Sequence, residues 1–525
     1  MHPQIALVAF LAATRNTPSS SSPTATATAT ATPTGPVSPS ESDLTSNWAN
    51  LSPYREADGF GIPKGVPRGC ELSQIHVLHR HAERYPESPW YDGGGMEIFG
   101  QKLKNYSSDH NIAIGRGPLA FLDNWQYLLG KDILLVAGAA TEASSGADIW
   151  SQYGRMLYRA PPGMAAWDPT LNVYPNGTRR PRPAFRTTDN QRVLESARWW
   201  LSGFFGNTGA NSSFSQYDLV VIPEGEGLNN TLAAEHSCPG DLKEGTHASE
   251  KFIPELTEAA LTRLSEYLPK DFNLTTSDVL AMLNLCPYEY AALGSSSFCG
   301  LFTEQEWLDF AYILDMRLYG SSAFGSPMGR AQGVGYVLEL AARLEGKLIN
   351  SSDTSINSTY DNTSATFPLH QPLYMDMSHD KVLIGTLTAL GLQYFKYGPK
   401  GMPSDVAHAV PRTFRLSEVA PFGARLVSEI WTCPKSSNLE VLDSTLYMNP
   451  DISDSQNTTD YIRFVLNGAP LPTSGLVGCE DARNGFCKVG DFLEAVPELK
   501  QNAMYQQACF EKYKPGHQVG NGRPE

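Results

Sequence analysis

The sequence predicts an α/β fold that carries a mainly helical insertion. Three observations point there. Short apolar runs that end in ionisable residues before a turn or a helix recur around 75–81, 184–192 and 372–380, which is the pattern of strands in an α/β sheet. Between 251 and about 346 the apolar spacing is mostly helical. A chain of 525 residues, 41% hydrophobic and 10% aromatic, can also bury a large core in two or more structural units.

Residues 1–40 read as a signal peptide and a Ser/Thr/Pro-rich linker. Ile5 to Ala13 is an apolar run of signal length, too short to span a bilayer, although no Lys or Arg precedes it. The stretch to residue 40 is too poor in large apolar side chains to build a core. The α/β core is expected over 41–215 and 347–525 and the helical insertion over 216–346, with folded chain from about Ser46-Asn47-Trp48.

Within the core, Ile75 to His79 reads as the first strand, and helices are expected at Met96 to Lys104 and Leu119 to Leu129. Ile149, Trp150, Tyr153, Met156 and Leu157 then form an apolar stripe on a helix from Ala147 to Tyr158. Ala184 to Asp189 is a short strand or turn before a helix at Asn190 to Phe204, and Tyr217 to Ile222 is another strand. The insertion holds helices at 252–268, 278–293, 304–318 and 333–344. The Ser/Thr/Asn-rich stretch 350–365 is expected to be an exposed loop. A strand at Pro372 to Met377, a helix to about Leu392, and strands at 425–431 and 461–466 follow.

A net charge of -15 argues against nucleic acid or an anionic membrane as partner. No further apolar run approaches membrane-spanning length. The eight cysteines, Cys70, Cys238, Cys286, Cys299, Cys433, Cys479, Cys487 and Cys509, form no CxxC pair, and their even number fits four disulfides. Nine Asn-x-Ser/Thr sequons, at Asn105, Asn176, Asn211, Asn229, Asn273, Asn350, Asn357, Asn362 and Asn457, point with them to a secreted glycoprotein bearing N-linked glycans. A tenth, at Asn50, is followed by Pro53 and is weaker.

The densest chemistry lies in Arg80-His81-Ala82-Glu83-Arg84-Tyr85-Pro86. Two guanidiniums flank one imidazole, which suits a site that binds a phosphate dianion and attacks it at phosphorus. Arg186 precedes a helix start, and His379-Asp380 ends another strand. Ligand sites in α/β sheets gather outside the carboxyl ends of strands, so the three places are expected to converge. Three arginines would neutralise the phosphate and keep His81 neutral, while Asp380 would protonate the leaving alkoxide in acid. No metal and no cofactor are called for. Taken singly, His379-Asp380 is a chance-level pair and Arg186 an ordinary solvated arginine. The Arg-His-x-x-Arg-x-Pro pattern carries the inference. A metal site on His76, His79 and His81 is disfavoured by the adjoining arginines. Neither a Gly-x-Ser-x-Gly elbow nor a Walker A loop occurs.

On these residues the chain resembles the histidine acid phosphatases, including the fungal phytases. The resemblance covers about Cys70 to Cys509 and includes Gln332-Gly333-Val334-Gly335-Tyr336. It implies a phosphoglycerate mutase-like α/β core with an inserted helical domain, His81 as nucleophile and Asp380 as proton donor. By the same resemblance Arg80, Arg84, Arg186 and His379 bind phosphate. It further implies the disulfides Cys70 with Cys433, Cys238 with Cys509, Cys286 with Cys299 and Cys479 with Cys487, with the fungal group's fifth, N-terminal pair missing. Two departures matter. Ala82 replaces the signature's glycine, and Glu87-Ser88-Pro89-Trp90-Tyr91-Asp92 stands where the phytases carry lysines. The expectation is therefore a secreted acid phosphatase acting on small phosphomonoesters through a phosphohistidine, with phytase as the alternative. Ala82 would instead favour a noncatalytic phosphate-binding glycoprotein, and phosphomutase activity is disfavoured by secretion.

Overall fold

Seven strands lie side by side with the longest in the interior. The computed structural model describes residues 44–524 except 88–92, 111–112, 207–212, 241–248, 399–400, 404–411, 453–456, 481 and 514–518. The expected signal peptide and linker, and the sequon at Asn211, lie outside the described residues. The strands are β1 (Val66–Pro67), β2 (Glu71–Arg80), β3 (Ala184–Thr188), β4 (Asp218–Ile222), β5 (Leu373–Ser378), β6 (Arg425–Pro434), β7 (Val441–Leu442), β8 (Thr458–Leu466), β9 (Ala469–Pro470) and β10 (Cys487–Lys488). The main sheet runs β10-β8-β6-β2-β5-β3-β4, with β9 on β8, while β1 pairs with β7 alone. Strands β2, β5, β3 and β4 are parallel, so their carboxyl ends share one edge. Antiparallel β6 closes the other side of β2.

The side-chain alternation of these strands decides what faces what. Ile75 and Val77 of β2, Met375 and Met377 of β5 and Phe185 of β3 pack into one core. That core is covered by α2 (Val136–Ile149) and α3 (Gln191–Phe205). Leu78 of β2 faces the second core, beneath α7 (Gly329–Glu345) and α8 (Asp380–Ala389). Two glycines let these helices approach at backbone distance. A Cβ on Gly203 would lie 2.0 Å from the Ala143 carbonyl oxygen, and one on Gly333 would lie 2.0 Å from the Gly385 carbonyl. Both contacts fix the helices that follow β3 and β5, α3 and α8, whose first turns open just past those strand ends.

The helical region holds α4 (Ile253–Ser265), α5 (Thr276–Leu293) and α6 (Glu304–Ser322). Together with α1 (Gly93–His110) these build a third core around Met282, Phe298 and Trp307. Capping boxes at Thr275/Asp278 and Thr303/Glu306 start α5 and α6. The expected boundaries of 216–346 need correction at both ends. β4 is hydrogen-bonded to β3 in the main sheet, and α7 lines the sheet's second core.

Other expectations differ locally. Helix α2 begins at Val136, earlier than expected, because its first half is built of small residues without a bulky stripe, and it passes through a wide π turn at Trp150–Gly154. In place of a helix at 119–129 there is a single 3-10 turn, Gly117–Asp123, after which Trp125 packs edge-on against Phe298. The stretch 350–365 is not simply exposed: Thr354, Ser355, Ile356 and Asp361 are buried. A helix over Val489–Ala503, unexpected because Pro497 interrupts it, also covers the second core. All four disulfides pair as the resemblance implies. Among the described residues no helix is long and apolar enough to cross a membrane.

Candidate active site

The last residue of β2 is Arg80, and the next turn presents His81 and Arg84 beyond the sheet edge. His81 is buried. Its Nδ1 lies 2.9 Å from the Ala82 carbonyl oxygen, an atom that only accepts, so Nδ1 carries the proton and Nε2 is the unprotonated nitrogen with the lone pair. Arg192 Nε donates to that Nε2 at 3.3 Å. Burial, then the charges of Arg192, Arg80 and Arg84, push the imidazole pKa well below its ordinary value, so His81 stays neutral in acid. A neutral imidazole with a fixed tautomer is a ready nitrogen nucleophile.

Arg80 is fully buried, stacks at 4.5 Å over Phe422, and donates to the backbone oxygens of Asn50 and Ala420 at 2.6 Å each. Its other terminal nitrogen meets Asp380 at 3.0 Å. Arg84 donates to Tyr288 of α5 at 3.2 Å and to Glu87 at 3.0 Å. The helical region therefore reaches the phosphate-type arginines directly.

β5 delivers His379 and Asp380 beside this turn, and the His379 ring lies edge-on to His81 with centroids 5.6 Å apart. His379 Nε2 is 2.7 Å from Glu224, which follows the end of β4. Asp380 opens α8 and accepts from Asn50 at 3.1 Å. Burial opposes its charge, but Arg80 and the Asn50 bond outweigh this and hold its carboxyl well below the usual carboxylate range.

Arg186 requires a correction. It is the third residue of β3, inside the sheet, paired in register with Asp376 of β5 and Val220 of β4. Its side chain points to the face under α7, where it meets Glu339 at 2.7 Å, Asp361 at 3.0 Å and Asp376 at 3.1 Å. An arginine enclosed by three carboxylates inside a sheet cannot serve ligands at the strand ends. The third guanidinium beside His81 is Arg192, in the first turn of α3. Its signal was the same strand-then-helix pattern, read one turn too early. Glu224 was equally legible as a carboxylate just past a strand, whereas Asn50 and Tyr288 arrive through tertiary contacts that leave no local pattern.

Ala82 is buried but absent from the residues with positive φ, and its N–H donates to Ser196 at 3.2 Å. The backbone at 82 thus does not ask for glycine's freedom. His76 and His79 are occupied elsewhere: His76 stacks on Tyr374, and His79 bonds the Arg80 carbonyl and Ser145.

Beneath the turn lie two buried carboxyls, Glu83 and Glu142, the latter 3.6 Å from His79. Burial, reinforced by Glu83, pushes the Glu142 carboxyl well above its ordinary value. The folded protein then binds a proton that the unfolded chain has released, so stability falls as pH rises from the ordinary carboxylate range of about 4 toward the raised value. Glu142→Gln is expected to flatten the decline in Tm as pH rises above about 4, a measurement for scanning calorimetry. An unchanged slope would refute this.

Comparison with known proteins places the chain. A profile described as the histidine phosphatase superfamily (branch 2) matches residues 71–467. Phytase A of Emericella nidulans is 30% identical over 481 residues, covering 88% of this chain and 90% of that one. Phytase A of Aspergillus oryzae is 28% identical, covering 89% and 91%. Among solved structures, the phytase from D. castellii superposes with a TM-score of 0.65 at 21% identity, covering 89% of this chain and 87% of that one. The multiple inositol polyphosphate phosphatase of Bifidobacterium longum, complexed with inositol hexasulfate, gives 0.56 at 11%, covering 86% and 97%. These two similarities show the shared fold. The chain belongs to branch 2 of the histidine phosphatase superfamily and is a histidine acid phosphatase, a phosphoric monoester hydrolase.

Proposed function

We propose that the protein hydrolyses phosphate monoesters through a phosphohistidine on His81. The observation that carries this reading is the neutral His81 Nε2 lying among Arg80, Arg84, Arg192 and His379. In the first step Nε2 attacks phosphorus, the P–O ester bond breaks, and the departing alkoxide takes a proton from Asp380. Water then attacks the phosphoryl group, gives its proton to Asp380, and inorganic phosphate leaves as the P–N bond breaks.

Asp380 must be protonated for the first step, yet Arg80 holds it ionised. A phosphate dianion entering among the arginines cancels that field and sets a like charge beside the carboxylate, so a proton is taken up with the substrate. Asp380→Asn is therefore expected to lower kcat by about 10²- to 10⁴-fold for an alkyl phosphate. With p-nitrophenyl phosphate, whose leaving group needs little protonation, the loss should be under about tenfold. Equal losses on both esters would refute the role.

The relatives named phytase favour inositol hexakisphosphate as substrate over the broad range the sequence alone favours. The broad reading keeps one support, the carboxylate of Glu87 beside two of the arginines. Specificity constants for inositol hexakisphosphate and a simple monoester, measured in chelator at about pH 5, decide between them. Four disulfides, together with exposed side chains at seven of the eight described sequons, support secretion and glycan attachment. Asn50 is spoken for by Asp380.

A further inference from the structure

One oxygen of Glu87 touches both outer arginines of the site. Its Oε1 lies 3.0 Å from an Arg84 terminal nitrogen and 2.8 Å from one of Arg192. Through Arg192 Nε, the same guanidinium is bonded to the nucleophilic Nε2 of His81 at 3.3 Å. A single anionic oxygen shared by two guanidiniums next to the nucleophile is the arrangement that a phosphoryl oxygen needs before in-line attack. The remaining terminal nitrogen of Arg192 is taken by Asp132 and Asn190 at 3.3 and 3.1 Å. Arg84 spends its other terminal nitrogen on Tyr85 and Tyr288. A phosphate gripped by this pair of arginines must therefore take the place of the carboxylate.

Resting on the phosphohydrolase reading above, we propose that Glu87 is a displaceable internal anion. Its carboxylate occupies the phosphate subsite of Arg84 and Arg192, and every ligand must expel it, so this side chain sorts ligands by charge. A dianionic phosphoryl group exchanges two charges for one and gains from the swap. A monoanion exchanges like for like and gains nothing, so chloride or a simple carboxylate is kept out. Inorganic phosphate, the product, is held less tightly than three bare arginines would hold it, which speeds its release. Burial opposes the Glu87 charge, but Arg84 and Arg192 hold its carboxyl down at about 2, so the internal anion persists throughout the acid range in which such a site works.

The competing idea is that Glu87 merely braces the two arginines. The two roles predict opposite signs. Inorganic phosphate binding to wild type, Glu87→Gln and Glu87→Ala would be measured by calorimetry at about pH 8, where inorganic phosphate is mostly a dianion, with thermal melting as a check on folding. Displacement requires roughly tenfold tighter phosphate binding in both variants and the appearance of inhibition by chloride. Unchanged or weaker phosphate binding in the folded variants overturns the proposal, as does an absence of phosphate binding in all three proteins. Failure of wild type to turn over p-nitrophenyl phosphate would count against the phosphohistidine reading instead, because the binding comparison does not use turnover.

Discussion

His81→Ala is expected to lower kcat at least about 10⁴-fold on any phosphomonoester while leaving the melting temperature close to that of wild type. The argument is geometric. Among the described residues, Nε2 of His81 accepts one hydrogen bond, from Arg192 Nε, and Nδ1 donates one, to the adjacent carbonyl. Little of the fold hangs on that ring, whereas the whole reaction passes through it. Steady-state kinetics with p-nitrophenyl phosphate, alongside capture of a ³²P-labelled protein in acid, tests the claim. Wild type should retain label on histidine and the variant none. Residual activity within tenfold of wild type would remove His81 from the chemistry.

Arg186→Ala and Arg192→Ala should fail in opposite ways. Arg186 neutralises a fully buried group of carboxylates, Glu339, Asp361 and Asp376, and its loss leaves them, among the described residues, with Arg343, which meets Asp376 at 2.5 and 3.0 Å. Breaking such a buried set by removing one partner costs about 3–5 kcal/mol, so Arg186→Ala is expected to unfold at a markedly lower denaturant concentration. Arg192 sits at the site edge, with partners that include two side chains which also meet solvent, Glu87 and Asp132. Its alanine variant should fold normally and lose about 10²- to 10³-fold in kcat/KM, the usual cost of one charge-stabilising donor. Denaturant titration and kinetics on the two proteins separate the roles. A stable Arg186→Ala with damaged kinetics would restore the assignment drawn from sequence.

Those two arginines show where sequence reading succeeds and stops. The strands were legible because apolar runs of the right length end in turn or helix signals, and His81, His379 and Asp380 sit just past such ends. Arg186 lies within its strand instead of beyond it, and one-dimensional spacing did not separate a residue pointing under α7 from one pointing at the edge. The buried Asp361 was hidden by its polar neighbours in 350–365, which look like a loop until Arg186 claims the carboxylate. Tyr288 and Asn50 meet the site across long stretches of chain, and nothing near either of them in sequence announces it.

Because the carbonyl of residue 82 accepts the Nδ1 proton of His81 while Arg192 donates to Nε2, the tautomer of the nucleophile is set without any contribution from the side chain of residue 82. Side-chain identity at that position is then decoupled from the chemistry, provided the turn keeps its course. Groups that face the incoming phosphate differ in this respect, because a change of one such side chain, Glu87 for instance, alters the charge beside Arg84 and Arg192.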